Sequence, residues 1–208
     1  MEQRCVQEQV LRFQMERAAA ALRENRMDVE IVENPQELLR KIRQLVPQGA
    51  TTASGGSMTL EETGVMAWLT GGETRYLSGN GSEEARMQAQ FCDYYFMSSN
   101  AITLNGALYN VDGNGNRVSA LIYGPKHVVV VAGANKLVKD LEAAELRIKM
   151  TAAPCNSVRL GRNTGCAKTG VCVNCKTDAR ICCHTVISTY QRHPGRIHVF
   201  LLPDSYGF

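Results

Sequence analysis

The stretch that most restricts the fold is Val128-Val129-Val130-Val131, four β-branched residues without interruption. Successive strand residues point to opposite faces, so such a run calls for burial on both sides. The rest of the chain alternates helix and strand signals in a way that supplies that cover. Residues 1–26 predict an amphipathic helix, with Val6, Val10, Phe13 and Ala20 or Ala21 at helical spacing. A short strand at 28–32 precedes a helix opened by Pro35, which runs through Leu38, Leu39, Ile42 and Leu45 until Pro47 and Gly49 end it. A strand at 51–53 leads into Gly55-Gly56-Ser57 and a helix from Thr59, where Thr59 and Glu62 have capping-box spacing. Further strands are expected at 75–77 and 94–98, with a helix at 83–92 between them. Two β-prone runs flank Asp112-Gly113-Asn114-Gly115-Asn116 and predict an antiparallel hairpin with its tip there. A helix is expected at 135–150, closed off before Pro154, and two last strands at 185–190 and 196–202.

This order predicts an α/β fold, three-layer, with a largely parallel sheet, helices on both faces and an antiparallel hairpin attached. One domain is expected over 1–208, with an N-terminal helix at 1–27 and a cysteine-rich loop at 155–184. A net charge of +3, with scattered basic residues and few aromatics, gives no nucleic-acid surface. The N-terminus lacks an apolar signal core and no run approaches membrane-spanning length, so no membrane association is expected. Eight cysteines without a secretion signal point to a reducing cytoplasm, where clusters bind metal more often than they cross-link.

Five of the eight cysteines fall in GCAKTGVCVNCKTDARICCH, residues 165–184. Cys166, Cys172, Cys175 and Cys182 place four sulfurs in one turn-rich loop, and Cys172 and Cys175 form a CxxC pair. Lys168, Lys176 and Arg180 lie among them and favour thiolates. A metal centre on these four residues is the leading expectation. The single CxxC flanked by looser cysteines favours an iron–sulfur cluster, with zinc as the alternative. A thiol–disulfide or redox-sensing role and plain core thiols stay open. Cys183 or His184 could replace a ligand, and Cys5, Cys92 and Cys155 are expected to be core or bystander thiols.

Gly55, Gly56 and Ser57 form the best small-molecule candidate. A strand, a glycine turn and a helix start aim backbone N–H groups at an anion, although Ser57 would cap a helix with or without a ligand. Asn105, Gly106, Asp112 and Arg117 form a second candidate around the predicted hairpin, where turn formation is the favoured explanation of Asp112 and Gly113. Lys126, before the buried strand, is a third. A small anionic metabolite is the partner these groups would hold. Protein partners or a homo-oligomer are possible further partners.

Three of these segments resemble one family. GGSMTLEETG (55–64), ITLNGALYNVDGNGNRVSALIYGPKHVVVVAGANK (102–136) and TGCAKTGVCVNCKTDARIC (164–182), with the closing RIHVFLLPDSYGF, are similar to the LUD, or lactate-utilization, domain family. The resemblance implies a fold of the NagB/RpiA/CoA-transferase-like kind and a connection with bacterial oxidation of lactate or similar organic acids. Cys166, Cys172, Cys175 and Cys182 match the four positions of a stand-alone branch. Cys183 replaces an expected polar residue and Cys155 a small one. The ferredoxin-type cysteine runs of the family's iron–sulfur partner subunits are absent. Two other classes stay open: a CoA-transferase- or isomerase-like enzyme using Glu61, Glu62 or Asp112, and a non-enzymatic redox-sensing scaffold.

Overall fold

A computed structural model describes residues 3–78 and 81–208. The elements run α1 (Gln3–Glu24), β1 (Asp28–Ile31), α2 (Pro35–Leu45), β2 (Thr51–Ser54), α3 (Met58–Glu62), α4 (Val65–Thr70), β3 (Arg75–Ser78), α5 (Glu83–Ala89), β4 (Tyr94–Met97) and β5 (Ala101–Thr103). They continue β6 (Leu108–Asp112), α6 (Asn116–Ile122), β7 (His127–Gly133), β8 (Leu137–Val138), α7 (Leu141–Arg147), α8 (Ala153–Arg159), α9 (Gly165–Thr169), β9 (His184–Ser188) and β10 (Ile197–Leu202).

Six strands form a sheet in the order β1-β10-β7-β4-β2-β3, and every neighbouring pair is parallel. The valine run is its centre. Val128, Val130 and Ala132 pack on one face with Met15 and Leu22 of α1, Leu121 of α6, and Ile102 and Leu108 of a second sheet. Val129 and Val131 pack on the other with Leu38 and Ile42 of α2 and with Leu60, Val65, Trp68 and Leu69 of α3 and α4. The expected three-layer α/β architecture is therefore present. α2 starts where the sequence places it: Asn34 Oδ1 accepts from Glu37 N at 2.9 Å, with Pro35 just inside.

A second sheet, β8-β5-β6-β9, lies outside the first. It holds the antiparallel hairpin, but not at the expected place. β5 and β6 are joined by a turn around Asn105-Gly106, where Gly106 takes a φ of 80°. At the predicted tip, Gly115 with φ 86° caps a helix, so the second β-prone run becomes α6.

Three other expectations are corrected. The α1 stripe of Val6, Val10 and Phe13 is exposed; Met15, Ala18, Ala19 and Leu22 are the residues buried against the sheet. Alanine lets the helix backbone come close, so the smaller side chains carry the contact. The helix expected at 135–150 begins instead at α7, capped by Asp140, because residues 134–136 form a 3-10 turn and 137–138 join the second sheet. It then passes through Pro154 by way of a π turn at Ile148–Ala152, the wider turn accommodating a residue with no N–H to donate. Ser57, not Thr59, caps α3, accepting from Leu60 N at 3.4 Å; Thr59 Oγ1 instead donates to the carbonyl of Tyr206 at 3.0 Å. The Cys5 side chain lies outside the described set. No helix among the described residues is long and apolar enough to cross a membrane.

Candidate functional site: a basic cavity at the carboxyl edge of the sheet

After β2 the chain moves outward to β3, then returns past β2 to β4 and continues in the opposite direction to β7 and β10. The loops following β2 and β4 therefore diverge, leaving a crevice beyond the strand ends, the usual ligand position in open α/β sheets. Gly55-Gly56-Ser57 follows β2, and Ser98-Ser99-Asn100 follows β4. Both line a cavity of about 650 Å³. The turn after β7, the segment Val111–Arg117, the end of α8 and the following loop, residues 178–181 and Phe208 complete its wall.

Arg117 builds the floor. Its Nε pairs with Asp112 Oδ2 at 3.3 Å, Nη1 donates to Asn110 Oδ1 at 2.6 Å and to Ser98 O at 3.2 Å, and Nη2 donates to Asn100 Oδ1 at 3.0 Å and to Val111 O at 2.8 Å. Five N–H groups meet five acceptors, which leaves the guanidinium no donor for a ligand. Burial pulls its pKa down while Asp112 opposes that. Asp112 is committed as well, since its Oδ1 accepts from Gly115 N at 2.9 Å. Beneath the floor, beside Arg117, Tyr95 Oη and Asn110 Nδ2 are buried with no hydrogen-bond partner among the described residues. A Cβ on Gly55 would lie 3.3 Å from the Tyr95 hydroxyl, so the glycine allows the loop to sit directly on the floor.

The wall is cationic. Arg86, Lys136, Arg159, Arg162 and Arg180 line it, against the two carboxylates Asp112 and Asp178. Lys136, at the end of the turn after β7, is 3% exposed. Burial, reinforced by Arg147 and Arg117 and opposed by Glu62, lowers its pKa to about 7. Its Nζ donates to the backbone oxygen of Phe208. Segment 204–208 is strapped in place beside it: Asn135 Nδ2 donates to Gly207 O at 3.0 Å, and Gly207 N donates to Glu62 Oε2 at 2.7 Å. Arg147 anchors α7 to the same rim, bonding Asn135 O and Asn100 O at 3.0 and 2.7 Å.

Of the residues singled out in the sequence, the cavity gathers Gly55, Gly56, Ser57, Asp112 and Arg117. Asn105 and Gly106 lie instead against the end of α1, where Asn25 Nδ2 donates to both of their carbonyls. Lys126 precedes β7 at the opposite, amino edge and pairs with Asp93 at 3.7 Å. Sequence reasoning missed Lys136, Arg159 and Arg162. Position was the available signal for Lys136, since it sits just past a strand buried on both faces.

The cysteine loop borders the cavity through residues 178–181. Arg180 holds it, donating to Cys182 O and Cys175 O, both at 2.9 Å. Cys172 Sγ accepts from Asn174 N at 3.4 Å, closing the CxxC turn. Burial raises the Cys182 pKa, Arg180 opposes it, and the Cys172 and Cys175 thiols raise it further, so these three sulfurs share one electrostatic neighbourhood. Cys166 stands apart. It is buried, and its sulfur bonds the hydroxyls of Thr164 at 3.3 Å and Ser157 at 3.4 Å. Burial alone would raise its pKa; the hydroxyl bonds outweigh that and leave it lowered. Among the described residues, no three His, Cys, Asp or Glu side chains are gathered closely enough to hold a metal ion. The four-sulfur set is thus not assembled here. Cys92 is a core thiol, pushed up to about 12 chiefly by burial.

The profile of the LUD domain matches residues 15–202. The chain belongs to the LUD domain family. A solved structure of a DUF162 family protein from Deinococcus radiodurans, the same family under another label, matches with a TM-score of 0.55 at 12% identity. The match covers 93% of this chain and 98% of that one. At that identity the likeness carries the LUD fold alone. Comparison with curated proteins gives no match.

Proposed function

We propose that this LUD-domain protein binds a small organic-acid anion of the lactate type in the carboxyl-edge cavity, as part of organic-acid metabolism or its regulation. The observation that carries the reading is the charge of the wall. Arg86, Arg159, Arg162 and Arg180 face the carboxylate of Asp178, and Asp112 is already neutralised by Arg117. Such a concave basic surface, walled by protein of low dielectric, attracts and orients carboxylates. A transferase using a carboxylate nucleophile is less well served: Glu61 is exposed on α3, Glu62 accepts from Gly207, and Asp112 is bound on both oxygens. The test is a thermal-shift and calorimetric screen of lactate, pyruvate, CoA esters and sugar phosphates. A melting temperature raised by the small acids, with the rise lost in Arg159→Ala/Arg162→Ala, is expected; no shift with any of them would sink the reading.

A second reading concerns the cysteine loop, favoured by the shared neighbourhood of Cys172, Cys175 and Cys182. We propose these three as ligands of a metal centre, an iron–sulfur cluster or zinc, which Cys166 joins only by giving up Ser157 and Thr164. Protein prepared without air is expected to carry iron and sulfide, or zinc, and to lose it in Cys172→Ser or Cys175→Ser. Fully alkylatable thiols with no metal would refute it.

A further inference from the structure

Lys136 is the group in the cavity whose chemistry the anion-binding reading does not use. A lysine at 3% exposure ordinarily sits against a carboxylate. The charged groups acting on this one are two further cations, Arg147 and Arg117, opposed by Glu62, and its Nζ donates to the backbone oxygen of Phe208. It stands on the short 3-10 turn Ala134–Lys136, held at the end of the central strand of the sheet and fixed by the Asn135 contacts to segment 204–208. The surroundings disfavour the ammonium form and hold the amine in a position that packing defines. Desolvation beside other cations is the established way to turn a lysine into a nucleophile near neutral pH.

The same wall presents Arg159 and Arg162, which suit a carboxylate. A carboxylate next to an electrophilic carbon, read by an arginine and an amine together, is the description of a 2-oxo acid. We propose that Lys136 captures 2-oxo acids covalently as an imine. This inference rests on the cavity being the organic-acid site and names the substrate class within it. In the step, the Nζ lone pair attacks the carbonyl carbon as the C=O π bond opens onto oxygen. A proton moves from nitrogen to that oxygen to give the carbinolamine. The oxygen then leaves as water, taking the second amine proton, and the C=N bond forms. No oxidant or reductant is consumed. A 2-hydroxy acid has no keto carbon, so it occupies the site without forming the bond.

The experiment incubates the whole protein with pyruvate and cyanoborohydride at pH 7, followed by intact mass and peptide mapping, with calorimetry of pyruvate and of lactate alongside. One reduced pyruvate on Lys136 is expected, formed at least about tenfold faster than at Lys126 and Lys139, whose side chains stand in water outside the cavity. Lactate is expected to slow it without itself adding mass. Calorimetric binding of pyruvate with no adduct on Lys136, or with labelling no faster than at Lys126, would overturn the imine and leave the anion site standing. Absence of binding by either acid would overturn both. Mapping on the native sequence decides the matter even if Lys136→Met fails to fold.

Discussion

A buried lysine among arginines weakens the fold that holds it, and the sign of its pH dependence shows by how much. In the unfolded chain the amine titrates near 10.5, and in the fold near 7. Between those values the unfolded state holds a proton that the folded state lacks, so stability rises with pH across the window. The contribution is fully present above 10.5 and is lost as pH falls through about 7, at up to about 1.4 kcal/mol per pH unit. Lys136→Met keeps the length and removes the titration. Urea denaturation should find the variant more stable at pH 7 by a few kcal/mol, on the order of the same linkage, with the gap closing toward pH 10. A gap that does not change with pH would show that the amine stays protonated in the fold. Nothing in the residue type separates this lysine from Lys139, three positions on and exposed. What distinguishes it is the strand end before it, and that was legible in the valine run.

At the scale of elements, the sequence is clearest where one local rule acts alone. Asn34-Pro35 opens α2 as a cap followed by a pre-set φ, and the strands at 51–54, 75–78 and 94–97 fall within a residue or so of their expected limits. It misleads where two rules compete. Gly106 and Gly115 both take positive φ, yet one closes a hairpin and the other starts a helix. The choice is made by tertiary contact: at Gly106 a Cβ would lie 2.6 Å from the backbone of Ala21, so this glycine lets the turn reach α1. Pro154 is an ordinary stop signal overridden by the π turn before it, which carries the helix on to Asn156, Arg159 and the cavity rim. The spacing of the cysteines is visible in one dimension, but the partners of Cys166, Ser157 and Thr164, become visible only once α8 and α9 are packed together.

Across the whole molecule the parallel sheet has two chemically distinct ends. The carboxyl edge carries the cationic cavity, and the amino edge carries a row of imidazoles. His198 Nδ1 lies 3.4 Å from Asp28 Oδ2, its in-register neighbour, and His198 Nε2 lies 3.4 Å from His127 Nδ1. His127 in turn bonds Gly195 O at 3.1 Å and stacks on Tyr94 with ring centroids 4.5 Å apart. A neutral His198 fits this row by donating to Asp28 and accepting from His127. Adding a proton forces two donors to face each other. Burial, the largest cause, and His127 lower the His198 pKa, while Asp28 and Glu30 resist. The unfolded imidazole therefore takes a proton first as the solution becomes acid. The contribution to stability is whole above about pH 6.5 and is lost progressively below it. Carboxylates have ordinary pKa values near 4, so the window between pH 6.5 and 5 belongs mainly to histidine. Melting temperatures taken at pH 7, 6 and 5 should fall for the native protein and fall less for His198→Gln, whose amide retains a donor for Asp28. Parallel slopes in the two proteins would place the acid sensitivity elsewhere.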